Sequence, residues 1–242
     1  MTDLGSFLLL SAAVFSGAFV FGLAGFAFSA VAGGILLHIL QPIEAVPLMM
    51  SCSVGVQATN LWAMRGNIQW RQSLVLVIGG LLGVPIALWL LHTADTRAFR
   101  EGFGLVVAAC AAYMLFRPGM RVIQEVKQGL GALIGFGGGL IGGLTAMPGA
   151  LPTIWCDLHG MPKSEQRAMV QPFIAAMQIF ALALMVMRHD LTAKVALDFA
   201  LSIPALLAGT LLGILAFRRV NEAVFRRVIL TVLMLSGVLL LF

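Results

Sequence analysis

Ser53, Gln57 and Asn60 recur at helical spacing, so a helix through them presents a hydroxyl and two amides on one face. Gln171 and Gln178 lie two turns apart and share a face in the same way. Neutral amides and hydroxyls can hold an oxyanion by hydrogen bonds alone, without a Lys or Arg at depth. Two glycine clusters add another kind of donor. Gly22-Leu23-Ala24-Gly25 interrupts the apolar run from Phe7 to Leu40, and Gly139-Leu140-Ile141-Gly142-Gly143 interrupts the run from Leu130 to Leu158. A helix that restarts inside a membrane exposes free N–H groups and a partial positive charge, and such ends bind anions. Ser29 and Thr145 follow the two breaks and add hydroxyl donors. Phe26 and Trp155 are placed to pack against a carbon part of the same ligand.

Each of these features also has a structural reading. Glycines permit close helix packing in membranes, and glutamines bond between helices there. Arg167 is either an anion guide at the cytoplasmic mouth or an interfacial basic residue. His38 and His159 end the two glycine-broken runs and read as interfacial. Asp198, one turn beyond Lys194, reads as half of a local ion pair at the membrane edge. Cys52, Cys110 and Cys156 lack metal-ligand spacing and read as small buried hydrophobes.

The elements that must carry these residues are membrane helices. Of 242 residues 60% are hydrophobic and 10% charged, against about 25% charged in a soluble domain. Beyond the two broken runs, apolar segments cover 45–64, 73–91, 103–116, 169–187, 195–217 and 224–242. Most approach the ~20 residues that a crossing needs, although 103–116 is short unless its flanks join it. The class is an all-α polytopic membrane protein. No positive stretch precedes Phe7, so the first run is expected to be a retained span rather than a signal peptide. The net charge of +5 sits in short loops, as topology demands, and implies no nucleic-acid partner.

The pattern occurs twice. Met64-Arg65 with Arg71 matches Met187-Arg188 with Lys194, Phe99-Arg100 matches Phe225-Arg226, and Pro42 matches Pro162. The expected units are residues 5–117 and 128–242. If each glycine-broken run crosses once, the 15 Lys and Arg divide almost evenly between the two sides. If each run enters and returns, Arg65, Arg71, Arg117, Arg121, Lys127, Lys163, Arg167, Arg218, Arg219, Arg226 and Arg227 share a side. Only Arg97, Arg100, Arg188 and Lys194 stay opposite, and that bias fits the positive-inside rule. Each unit then holds an odd number of segments, so the two are inverted repeats, a common transporter plan. The expectation is about eight full spans plus broken segments, up to ten in all, with both termini outside the cytoplasm. A re-entrant arm and a full second crossing give the same sidedness.

The broken glycine-rich segments, the stretches QPIEAVPLMMS and HGMPKSEQRAMV, the RGNIQWRQ loop and the duplication resemble the TauE/SafE sulfite exporter family over essentially the whole chain. The resemblance implies transport of small sulfur-containing or organic anions such as sulfite and sulfonates, usually as export. It carries the family glycine motif onto Gly22 and Gly25, and onto Gly137, Gly138, Gly139, Gly142 and Gly143. It carries a basic residue after the GMPK turn onto Arg167. The first copy here, GLAGFAFS, is poorer in glycine than in many members.

The expected protein is therefore a secondary transporter of the inner (plasma) membrane that uses alternating access and needs no cofactor. Its partners are a small anion, the lipid bilayer and, as a coupling ion, protons. An anion channel is the nearest alternative, marked by flux that neither saturates nor drives counterflow. A structural or sensory membrane protein is the alternative from another class. An enzyme is disfavoured because the four His are scattered at segment ends and no catalytic motif is present.

Overall fold

The computed structural model describes residues 4–24, 27–64, 66, 68–116 and 128–217, and then 231, 234, 235, 237 and 238. The regular structure among them is helical: α1 Leu4–Ala24, α2 Phe28–Ile39, α3 Pro42–Met64, α4 Trp70–Thr93, α5 Thr96–Phe116, α6 Gln128–Thr145, α7 Ala150–Leu158, α8 Lys163–Met187 and α9 Ala193–Phe217. Five of these are long and apolar enough to cross a membrane by length and composition. The segment expected over 224–242 lies largely outside the described residues. The short apolar run 103–116 gains two turns at its start, Thr96 to Gly102, and becomes the 21-residue α5.

The faces of these helices sort as a bilayer requires. Ile78, Leu82, Leu105, Leu207 and Leu211 are exposed, whereas Leu36, Met49, Leu88, Phe103 and Phe173 are fully buried between helices. So many large apolar side chains facing outward on long apolar helices fit lipid as the solvent. Trp70 and Trp89 are also exposed, near opposite ends of α4. Nineteen residues of helix separate them by about 28 Å, close to the ~30 Å hydrocarbon thickness, and tryptophan favours both interfaces.

Two helix pairs pack almost backbone to backbone. In the first, α4 lies on α6: a Cβ at Gly79 would stand 1.9 Å from the Ala132 carbonyl oxygen, and one at Gly139 would stand 2.4 Å from that of Gly80. In the second, α1 lies on α9: a Cβ at Gly22 would stand 2.6 Å from the Thr210 carbonyl oxygen, and one at Gly213 would stand 2.3 Å from that of Phe19. Lipid gives helices no hydrophobic reason to associate, so such close approach supplies the dispersion contacts that hold them.

This corrects the expected role of Gly22, Gly139 and Gly142. All three lie inside continuous helices, α1 and α6, and the breaks follow them. Between α1 and α2, Gly25 and Phe26 lie outside the described residues, and Ala27 is not helical. The second break is Ala146–Gly149. Glycines flanked by good helix formers stay helical when a partner helix fills the groove they leave. Gly142 instead receives the second break itself, since a Cβ there would stand 2.4 Å from Pro148 Cβ.

Between the two tight pairs run α3 and α8, which pack on each other. Short polar ties fix α4 to α8 at both ends. Ser73 donates to the Met169 carbonyl at 2.6 Å, and His92 Nε2 lies 2.9 Å from Asp190 Oδ1 just beyond α8.

Candidate functional site

The two breaks share a backbone feature that glycine does not explain. Ala27 has φ 72° and Ala146 has φ 55°, both left-handed and both non-glycine. Each costs on the order of 1 kcal/mol or more, and such strain persists only where neighbours over-determine it. At Ala146 the neighbours are visible. The break frees its carbonyl from the helix ladder, and a free carbonyl in lipid costs several kcal/mol. Ser29 Oγ donates to that oxygen at 2.9 Å and Gln178 Nε2 at 3.2 Å. One backbone oxygen thus joins the start of α2, the end of α6 and the middle of α8.

Around this junction lies a partly open cavity. Ala27 to Ala30 form one wall and Ala146 to Ala150 the facing wall. The N-terminal turns of α2 and α7 therefore face one space. Ala150 N–H turns back to the Met147 carbonyl at 3.3 Å, and the first turns of both helices direct positive potential toward the cavity. Ser53 and Gln57 reach the cavity from α3, Ile174 and Gln178 from α8, Phe21 from α1, and Val107, Cys110, Ala111 and Met114 from α5.

The polar side chains here are deeply buried, with Ser29 at 2%, Ser53 at 4%, Gln57 at 1% and Gln178 at 1% exposure. They are held by one another across the α3–α8 contact. Gln178 Nε2 also donates to Ser53 Oγ at 2.9 Å. Gln57 Nε2 donates to the Gln171 backbone oxygen at 3.3 Å and to Gln171 Oε1. The carbonyl oxygens Gln57 Oε1 and Gln178 Oε1 are buried and have no partner among the described residues.

Of the residues singled out from the sequence, Ser29, Ser53, Gln57 and Gln178 come together on this cavity. Gln171 stands behind Gln57 as its partner. Thr145 turns its hydroxyl to Ile141 O of its own helix at 2.7 Å. Trp155 is buried against His159, with ring centroids 4.7 Å apart, and is not on the cavity wall. Helical phase explains this: Ala150, Thr153 and Ile154 share one face of α7, and Trp155 is turned away from it. Arg167 is exposed near the start of α8, away from the cavity wall. Asn60 lies on α3, and its side chain is outside the described residues. The α5 wall, Phe21 and Thr153 carry no polar spacing signal and were not anticipated. The left-handed alanines have no signature in the sequence at all.

Asp198 requires a correction. It does not pair with Lys194, whose Nζ bonds Glu44 Oε2 of α3 at 2.6 Å. A lysine at the start of α9 reaches the neighbouring helix more readily than a side chain one turn further in. Asp198 is 1% exposed and its Oδ1 has no partner among the described residues, so a buried carboxylate does exist here, apart from the cavity wall. Among the described residues no group of three or more His, Cys, Asp and Glu is arranged to hold a metal ion.

The comparisons with known proteins give one result. The family model described as sulfite exporter TauE/SafE matches residues 9–240. No curated protein and no solved structure gives a significant match.

Proposed function

The chain belongs to the sulfite exporter TauE/SafE family, and on that premise we propose that it is a secondary transporter exporting a small sulfur-containing or organic anion, such as sulfite or a sulfonate. The observation that carries this reading is the cavity between the two breaks. Two helix N-termini and the Ser53 hydroxyl can hold an oxyanion without any buried cation, while Ser29, Gln57 and Gln178 fix the wall around them. Phe21, Val107, Ala111 and Met114 give the same cavity an apolar side, which suits a short carbon tail.

The proposed mechanism is alternating access around this fixed site. The units are residues 5–117 and 128–242, read as inverted repeats. Three facts support the repeat. The helices run long, short, long, long, long over α1–α5 and begin the same order again over α6–α9. The tight pairs are reciprocal, since the first helix of each unit packs on the fourth of the other. Left-handed alanines mark both breaks. At 12 and 9 residues, α2 and α7 span only about 18 and 14 Å, which suits arms that enter and return. The proposed location is the plasma membrane, with both termini outside the cytoplasm and protons as the coupling ion.

Purified protein in proteoliposomes should take up labelled sulfite or a small sulfonate with saturable kinetics, and a pH gradient should change the rate. If no member of such a panel is bound or moved, the transporter reading fails; flux that never saturates would favour a channel. Single cysteines at Thr2 and Phe242 should both react with an impermeant reagent added outside intact cells. Protection of either one until the cells are opened would overturn the inverted arrangement.

A further inference from the structure

One end of the cavity is shut by an apolar layer. Gly33, Met49 and Phe103 lie on three helices, α2, α3 and α5. Each stands one turn beyond a residue of the cavity wall: Gly33 after Ser29, Met49 before Ser53 and Phe103 before Val107. Only Leu40 and Gln41 join α2 to α3, so the two helices run back along each other and these steps lead the same way. The three residues meet there. A Cβ at Gly33 would stand 2.4 Å from Phe103 Cζ and 3.1 Å from Met49 Sδ. Phe103 is 2% exposed and Met49 0%. Phe99 backs Phe103 one turn further out, with ring centroids 6.5 Å apart. In the other direction the wall continues along α5 through Cys110 to Met114, two residues short of the end of that helix. The cavity therefore extends away from Phe103.

The two short helices differ at matching places. Thr153, seven residues past Ala146, lines the cavity, whereas Gly34, seven past Ala27, is buried and off its wall. On the inverted-repeat reading, one half is closed over the site while the other is open. A dry apolar layer stops an anion and its water alike, because the charge would have to shed its hydration to enter. We propose that Phe103, seated on Gly33 and Met49, is the gate through which the transported anion leaves the cavity, and that the structure is the form open toward the end of α5. In the topology proposed above that end is cytoplasmic, so an exported anion enters there and passes Phe103 to reach the outside. Opening requires the ring to leave its seat on α2 and α3, which alternating access supplies when the two halves rock. The proposal rests on the transporter reading above and adds the residues that close the exit.

Cys110 is a native reporter, since it lines the cavity while Cys52 and Cys156 are 0% exposed. A small impermeant methanethiosulfonate is applied to right-side-out and to inside-out vesicles carrying the full-length protein. Modification of each cysteine is followed by mass spectrometry. In the wild type, Cys110 should react faster in inside-out vesicles. Phe103→Ala leaves a void where the ring sat, so the right-side-out rate at Cys110 should rise about tenfold or more while the inside-out rate stays within about twofold. Met49→Ala, on another helix, should act in the same direction, and it keeps the test decisive if Phe103→Ala does not fold. A right-side-out rate unchanged in both variants would overturn the gate. So would reaction of all three cysteines from both sides, which is the mark of a loosened fold. A wild-type Cys110 that reacts faster from outside would overturn the assignment of Phe103 to the exit. The labelling needs no substrate, so the gate stands or falls apart from the transporter reading, which the anion panel above decides.

Discussion

Gly135→Leu is expected to leave little folded protein in the membrane. A Cβ at Gly135 would stand 2.1 Å from the Leu76 carbonyl oxygen and 2.7 Å from the Leu76 carbonyl carbon. These are backbone atoms of α4, bound in its own ladder, so they cannot step aside as a side-chain end can. The two helices would have to part along the whole α4–α6 contact. Overpacking a well-fitted core costs about 1–3 kcal/mol, and a backbone clash belongs at the upper end. Thermal unfolding followed by size-exclusion fluorescence should show a large downward shift, with most of the protein lost as aggregate. Gly102→Leu is the control, since a Cβ there meets nothing within 4 Å. A Gly135→Leu protein as stable as the wild type would mean that the α4–α6 contact is wrong.

The second large effect is expected at Gln178. Its amide nitrogen serves Ser53 on α3 and the freed Ala146 carbonyl at the break, so it bonds both a neighbouring helix and the broken one. Gln178→Leu removes both bonds and one polar group from the cavity wall. Both protons of that amide are already given to protein oxygens, so its loss acts through position: the break is no longer tied to α3 and α8, and sulfite binding should weaken by roughly tenfold. Stability should fall by only about 1 kcal/mol, because Ser29 still bonds Ala146. Thr145→Val provides the contrast. Its hydroxyl already bonds its own helix, so binding should be unchanged. Unaltered affinity in Gln178→Leu, or an equal loss in Thr145→Val, would refute the proposed wall.

The sequence pattern made some parts of this arrangement readable and left others hidden. The membrane helices follow from apolar length, and α3, α4, α8 and α9 begin within a few residues of where the apolar runs do, except that α8 takes in the polar turn from Lys163. The face bearing Ser53 and Gln57 follows from helical spacing, and both residues do line the cavity. The glycines drew notice because glycine is rare in stable soluble helices. In lipid the same residue is a packing device, so Gly22 and Gly139 sit within helices and the chain breaks a few residues later. Those breaks fall at Ala27 and Ala146, and alanine gives no hint of a left-handed backbone. Partner choice was equally hidden. Lys194 prefers Glu44, far away in sequence, to the nearer Asp198, because three-dimensional reach rather than spacing decides it.

The reciprocal packing of α1 on α9 has a consequence during synthesis. The groove cut into α1 around Gly22 is filled by a helix that begins about 170 residues later. At ribosomal speeds of about 5–20 residues per second, α1 waits roughly ten to thirty seconds beside the translocon with that groove facing lipid. The pair α4 and α6 closes much sooner, since only α5 and the connections on either side of it separate them. The nascent chain therefore assembles from its middle outward, and its first helix is among the last to find its seat.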